Sequence, residues 1–178
     1  MHLKISCVSF CLLLSMFWCS AQSSGKFLIT RPLPDGTIYF IVPSEIPAQN
    51  EVGPLKLDFT YFHPAEPSPD SDTVVVNGSI YTRIPVKEIT SIIFLPTAAN
   101  PIKPLDATQI LYIEQVKGKW HSRFSTRIRR HELMQLLSMD SGVQIEIVAE
   151  QRTRRYVANS KWYKRARTLS PILSVEFR

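Results

Sequence analysis

Alternating apolar and polar residues run through much of the chain. Leu55, Leu57, Phe59 and Tyr61 are each separated by one polar residue. Side chains on a strand point to opposite faces in turn, so this spacing predicts a strand with one buried face. Several short segments of this kind are separated by turn-forming residues. The sequence therefore predicts a fold built mainly from antiparallel strands.

Three predicted hairpins organise the strand segments. The segments that read as strands are residues 27–30, 37–42, 55–61, 73–76, 79–84, 89–95, 110–116, 120–128 and 143–149. Predicted turns lie at residues 32–36, at Asn77-Gly78 and at residues 117–119. Asn-Gly is the strongest of these signals, because both residues tolerate the positive φ angles of a two-residue hairpin turn. A Pro-rich stretch at residues 63–72 is predicted to be an exposed loop.

Helical spacing appears only in the C-terminal half. Leu133, Leu136 and Leu137 predict one short helix, with Gly142 as its stop. A second set recurs at three- and four-residue steps: Trp162, Ala166, Leu169, Leu173 and Phe177.

The second helix leaves two alternatives open. Ser160 is a candidate cap for its start. Pro171 interrupts the helical pattern and costs about 3 kcal/mol inside a helix. The pattern therefore fits either a helix that continues to the C terminus, or a helix that ends near Thr168 and is followed by a strand over residues 172–177.

These elements predict an antiparallel β-sandwich-like domain with one or two short helices in its C-terminal half. Residues 22–178 are expected to form a single globular domain. A subdivision near the Pro-rich link at residues 96–104 is the alternative, but each half would then have a marginal core.

The first 21 residues have the pattern of a cleavable export signal. Lys4 precedes an apolar run over residues 5–18, which is followed by small residues up to Ala21. The run is too short for a membrane-spanning helix, which needs about 20 apolar residues. Lipidation at Cys19 is the alternative, but bulky residues precede that cysteine. The mature chain is predicted to begin near Gln22 and to be exported.

Cysteine usage agrees with this interpretation. Cys7, Cys11 and Cys19 all lie in the predicted signal, so the mature domain has no thiol. It has neither a disulfide framework nor a cysteine-based zinc site. A domain without disulfides, in a compartment that permits them, favours a periplasmic or bacterial cell-surface location over a eukaryotic extracellular one.

Charge is distributed unevenly along the sequence. Residues 22–116 contain six Lys or Arg and ten Asp or Glu, whereas residues 117–178 contain fourteen and five. The basic residues fall into three clusters, and the candidate residues for binding an anionic partner are Arg127, Arg129, Arg130, Arg152, Arg154, Arg155, Lys161, Lys164, Arg165 and Arg167. Such a field attracts anionic glycans, lipid head groups or acidic protein surfaces, while export makes nucleic acid an unfavourable partner. The alternative is a solvated surface with no partner.

Motifs for catalysis, metals and cofactors are not found in the sequence. His131-Glu132 begins like a metalloprotease helix, but position 135 is Gln where the second histidine ligand is needed. No catalytic, metal-binding or cofactor-binding residue is assigned. The sequence thus favours an exported, noncatalytic binding or structural domain that uses a basic C-terminal surface. The alternative is a secreted hydrolase with a dispersed site that includes His63 and His121.

Overall fold

A computed structural model describes residues 24–49, 53–66, 72–97 and 100–176. The described residues form ten β-strands and two α-helices. In chain order these are β1 (Ser24–Gly25), β2 (Leu28–Leu33), β3 (Gly36–Ile46), β4 (Leu55–Pro64), β5 (Thr73–Thr82), β6 (Ile89–Pro96), β7 (Gln109–Val116), β8 (Lys119–Arg129), α1 (Arg130–Ser138), β9 (Val143–Ala149), β10 (Arg152–Val157) and α2 (Ser160–Glu176).

The strands form two antiparallel sheets. The larger sheet has the order β1-β2-β3-β4-β5-β8-β7, and the smaller one has the order β10-β9-β6. Every described strand pairing is antiparallel. The predicted class, mainly β with two helices in the C-terminal half, is confirmed.

One hydrophobic cluster joins the two sheets and both helices. It contains Phe59 and Phe124 from the larger sheet, Phe94 from the smaller sheet, and Leu136 and Leu169 from the helices. The arrangement is sandwich-like, because each sheet buries one face in the shared core. Neither described helix has the length and hydropathy that crossing a membrane requires.

The prediction of a hairpin turn at Asn77-Gly78 is wrong. Both residues lie in the middle of β5, where Gly78 pairs with Leu57 on one side and Phe124 on the other. A Cβ atom on Gly78 would collide with the Phe124 ring. The glycine is needed for close packing within the sheet, while the Asn77 side chain donates a hydrogen bond to Asp58 (3.0 Å).

The other two predicted hairpins are confirmed. At Lys117-Gly118 the two turn residues have φ angles of 49° and 76°, as a two-residue turn between β7 and β8 requires. The first hairpin has a tighter turn than predicted, because β2 continues to Leu33, which pairs with Gly36.

Helix α1 buries Leu133, Leu136 and Leu137, as the spacing predicts. Gly142 is not its stop, because the helix ends at Ser138, four residues earlier. Gly142 has a φ of 75° and lies just before β9.

Helix α2 continues through Pro171, so the alternative of a strand after Thr168 is wrong for the described residues. Pro171 is exposed, whereas Leu169 and Leu173 on either side of it are buried. Burial of a leucine contributes roughly 2 kcal/mol, which offsets much of the cost of the proline. Phe177 lies outside the described residues.

The predicted cap of α2 is wrong by one residue. Asn159 is the cap, since its Oδ1 accepts hydrogen bonds from the backbone N of Lys161 (3.1 Å) and Trp162 (3.2 Å). Ser160 is instead the first residue of the helix.

Strand β10 has no counterpart among the predicted strands. It pairs with β9 through a turn at Glu150 and Gln151, whose φ angles are 50° and 59°. Neither residue is Gly or Asn, so the usual turn signal is missing.

Two sequence predictions fall partly or wholly outside the described residues. The predicted signal at residues 1–21 lies outside them. Of the predicted loop at residues 63–72, His63 and Pro64 still belong to β4, and residues 67–71 are not described.

Candidate anion-binding groove

The first basic cluster consists of Arg127, Arg129 and Arg130, and two of these arginines are paired with carboxylates. Arg127 forms an ion pair with Asp106, and Arg130 lies 3.3 Å from the Asp72 carboxylate. Arg129 is exposed at the end of β8. Two of the three arginines therefore connect β8 and α1 to neighbouring loops.

The second cluster lies on β10, and its three members differ. Arg154 is buried, with 2% exposure, and its Nη1 donates to the carbonyl oxygen of Ala149 (2.8 Å). Arg155 pairs with Glu146 on β9 (2.7 Å). Arg152 is exposed at the start of the strand. The cluster is mainly part of the hairpin between β9 and β10.

The third cluster occupies the N-terminal half of α2. Lys161, Lys164 and Arg167 are exposed, and Arg165 is half-buried. Residues three and four apart on a helix are neighbours, so Lys161, Lys164 and Arg165 lie on one side of α2. This cluster is the most accessible of the three.

The first and third clusters do not converge. Arg130 donates to Tyr61 (3.3 Å), whose ring centroid lies 6.2 Å from that of Tyr39. Tyr39 in turn donates to Glu176 at the C-terminal end of α2 (2.6 Å). Lys161 is at the other end of this 17-residue helix, which spans about 25 Å. The two clusters thus lie near opposite ends of α2.

Arg165 fixes α2 against β3. Its Nη1 donates to the carbonyl oxygen of Pro43 (2.5 Å) and to Oγ of Ser44 (3.1 Å). Its guanidinium carbon also lies 4.9 Å from the centroid of the Phe27 ring, a cation–π distance. Among the described residues, the hydrogen bonds of Arg165 are made through Nη1.

A bulge in β3 allows the contact between Arg165 and the Pro43 carbonyl oxygen. The pairing of β3 with β4 shifts between Ile41 and Ser44, so that Val42 and Pro43 together lie opposite the one residue Asp58. Proline has no N–H for a sheet ladder and is tolerated at such a bulge. The bulge turns the Pro43 carbonyl towards α2, where Arg165 binds it.

A groove opens between α2 and the bulged segment of β3 with the neighbouring part of β4. Its first part is a cleft of about 270 Å³, lined by Pro43, Ser44, Glu45, Lys56, Lys161, Trp162 and Arg165. A second cleft of about 420 Å³ shares Glu45 and Lys161 with the first and extends to Pro47, Ala48, Gly53, Pro54 and Asn159. We call the two clefts together the basic groove.

The described residues give the basic groove a net positive charge. Among them, three cationic side chains line its first part, from Lys56, Lys161 and Arg165, against one carboxylate, from Glu45. That carboxylate lies 3.2 Å from Nζ of Lys56. The N-terminal end of α2, beside Asn159, adds the positive end of the helix dipole. An anionic group is therefore favoured in this groove.

Sequence reasoning identified Lys161 and Arg165 but missed Lys56 and the bulge. Lys56 is more than 100 positions away in the chain, and no local pattern connects it to α2. Pro43 within a strand-like run is a usable signal for a bulge. It does not indicate which helix packs there.

The two histidines of the hydrolase alternative are far apart. His63 lies at the end of β4, with Nδ1 3.4 Å from the hydroxyl of Tyr61. His121 pairs with Tyr81 near the opposite end of β5, about nine strand residues or roughly 30 Å away, and contacts Glu114 (2.9 Å). Across the described segments, no three His, Cys, Asp or Glu residues are grouped closely enough to hold a metal ion.

Comparison with known proteins finds no matching family model, no matching curated protein and no matching solved structure. The chemistry of the basic groove is therefore inferred from its own geometry.

Proposed function

We propose that this protein is an exported binding domain that holds an anionic polysaccharide in the basic groove. The observation that carries the proposal is the convergence of Lys56, Lys161 and Arg165 on one cleft from two different parts of the chain. Arginine offers paired donors to carboxylate or sulfate groups, and lysine offers a mobile charge.

The shape of the groove favours a chain-like ligand. The first cleft is close to the lower limit for small-molecule sites, and the second continues from it through shared residues. A polymer strand can lie along a concave groove, whereas a flat membrane surface contacts only the rim of the groove. Pro43 in the first cleft and Pro47 in the second add apolar surface against which sugar rings can pack.

The accessibility of the cations also supports this site over the other basic clusters. Arg127, Arg130 and Arg155 already have carboxylate partners, and an incoming anion would have to displace them. Of the three groove cations, Lys56 lies beside the Glu45 carboxylate, whereas Lys161 and Arg165 form no ion pair among the described residues and meet an anion without breaking one.

Export is the remaining part of the proposal, and it depends on the predicted signal at residues 1–21. Acidic polysaccharides occur at cell surfaces and between cells, so export brings the groove to its proposed ligand. Intact mass of the exported chain tests this part, and a mass that retains residues 1–21 would contradict it.

Calorimetric titration with heparin, a sulfated polysaccharide, tests the groove. We expect Lys56→Gln/Lys161→Gln, which removes two cations that line the first cleft, to weaken binding about tenfold, since each solvent-accessible charge contact contributes up to about 1 kcal/mol. Arg129→Gln/Arg152→Gln, which removes two exposed charges outside the groove, is the charge-matched control and should change affinity much less. Equal losses in both variants would show a diffuse charge effect and contradict the groove.

Vesicles of phosphatidylglycerol separate a polysaccharide from a lipid partner. We expect the groove variant to leave any vesicle binding unchanged. If the parent protein binds vesicles but not heparin, the polysaccharide proposal is wrong and the lipid head-group alternative replaces it.

A further inference from the structure

Strand β7 ends the larger sheet with an open edge. In the described parts of the chain it is the last strand, and it pairs with β8 alone. The outer side of such a strand presents backbone N–H and C=O groups that another strand can pair with.

The side chains of β7 are unusually apolar for an exposed strand. Nine large hydrophobic residues are exposed among the described residues, and three of them lie on this strand: Leu111 (51%), Tyr112 (45%) and Val116 (37%). Proteins usually protect an edge with lysine or proline, and β7 contains neither. Its one charged residue, Glu114, contacts His121 of the neighbouring strand.

We infer that β7 pairs with β7 of a second copy of this chain, antiparallel and about a two-fold axis. The two larger sheets then form one continuous sheet across the dimer. A two-fold axis brings the same strand from both copies into self-complementary contact. This inference is independent of the proposed polysaccharide binding.

The faces of the sheet restrict how the two strands can align. Tyr112 and Glu114 pair with Arg123 and His121, whereas Ile113 pairs with the fully buried Ser122. Tyr112 and Glu114 therefore lie on the outer face, and Ile113 lies on the core side. Residues opposite each other in a continuous sheet must lie on the same face. The two β7 strands can therefore pair only in registers that place outer-face residues opposite outer-face residues.

Charge then selects among these alignments. Placing Glu114 opposite its own copy would oppose two carboxylates, which is destabilising. Placing Tyr112 opposite its own copy would bring the bulge between Ile110 and Tyr112 into the centre of the new ladder. The remaining central alignment places Ile113 on the axis, opposite its own copy. Each Tyr112 then lies opposite Glu114 of the second copy, where a phenol donor meets a carboxylate acceptor.

The second copy fits this edge better than an unrelated extended peptide. In this alignment a second copy supplies a carboxylate opposite each Tyr112 and an apolar residue opposite Ile113, and no like charges are opposed. If the protein is monomeric and a peptide binds at the edge of β7, peptide binding replaces the inferred dimer.

Sedimentation equilibrium of the full exported chain tests the dimer. We expect the parent to dimerise, and Tyr112→Glu to weaken the dimer about tenfold because it opposes two pairs of carboxylates. Tyr112→Lys is the matched variant, since it removes the same ring but places a cation opposite Glu114, and it should remain dimeric. A monomeric parent, or equal weakening in both variants, would overturn the inference.

Cross-linking tests the alignment separately. The described residues contain no cysteine, so Ile113→Cys introduces one thiol close to the axis. We expect this variant to form a disulfide-linked dimer under mild oxidation, whereas Val116→Cys should not. The parent chain controls for any retained Cys7, Cys11 or Cys19. Faster cross-linking through position 116 than through position 113 would refute the alignment.

Discussion

The start of α1 and the start of α2 are both rich in basic residues, but their cations are held differently. Arg127 and Arg130 near α1 each lie beside an aspartate, from loops that precede β7 and β5. Lys161 and Lys164 on α2 are exposed, and Lys161 faces a groove that holds two further cations.

This difference shows that a count of basic residues does not identify a binding surface. Local sequence is similar in the two regions, and both open a helix. What separates them is which distant residues the fold places beside each region: an aspartate beside each of Arg127 and Arg130, but Lys56 and its partner Glu45 beside Lys161 and Arg165.

The largest expected effect comes from an arginine with a purely structural role. Arg123 donates to the Asp58 carboxylate (2.7 Å) and to Oγ of Ser79 (3.1 Å), and Asp58 is only 1% exposed. We expect Arg123→Ala to lower the free energy of unfolding by about 3 kcal/mol, because it leaves a buried carboxylate without its cation. Urea unfolding measures this loss.

The double variant Arg123→Ala/Asp58→Asn is the control for that measurement. It should recover part of the lost stability, since the buried charge is gone. If Arg123→Ala costs no more than Arg152→Ala, an exposed arginine on β10, the structural role of Arg123 is contradicted.

An intermediate effect is expected at the cap of α2, which supports the groove. Asn159→Ala removes the acceptor for two backbone N–H groups and should cost about 1 kcal/mol in thermal or urea unfolding. Asn159→Asp keeps the acceptor and should retain the stability. Equal stability of the alanine variant and the parent would show that the cap does not position α2.

The smallest effect concerns the far end of α2 and is visible only at alkaline pH. Burial, together with the hydrogen bond to Glu176, raises the pKa of the Tyr39 phenol above its ordinary value of about 10. The unfolded chain ionises first, so this stabilisation is complete below about pH 10 and is lost as the pH rises further.

Tyr39→Phe isolates that contribution. The variant should show a shallower loss of stability above about pH 10 than the parent, measured by urea unfolding at a series of pH values. Parallel pH profiles for the two proteins would mean that Tyr39 keeps an ordinary pKa in the folded state.

Local patterns predicted most strands because burial on one face imposes alternation. The same reasoning failed at Asn77-Gly78, although it succeeded at Lys117-Gly118. Both pairs contain glycine, but only the second is exposed with nothing beside it, whereas Gly78 must accommodate the Phe124 ring. That requirement comes from β8, more than 40 residues away, and no local signal reports it.

Prediction of the groove from local sequence is limited in the same way. Lys161 and Arg165 are visible as a basic helix face, but the site also needs Lys56 and the bulge at Pro43. Arg154 shows the reverse, because it belongs to a basic cluster in the sequence and is buried in the structure. Pairing and burial depend on long-range packing, so the sequence predicted the charge and not its partners.

Elution from immobilised heparin by a salt gradient compares the two basic regions directly. Lys161→Glu in the groove and Arg129→Glu at the start of α1 change the net charge equally at two exposed positions, so only the position of the charge differs. Exposed substitutions usually change stability by less than about 0.5 kcal/mol, and circular dichroism checks that both variants fold. The proposal predicts that the lysine variant elutes at clearly lower salt than the arginine variant. Elution of both at the same salt would contradict a specific basic groove.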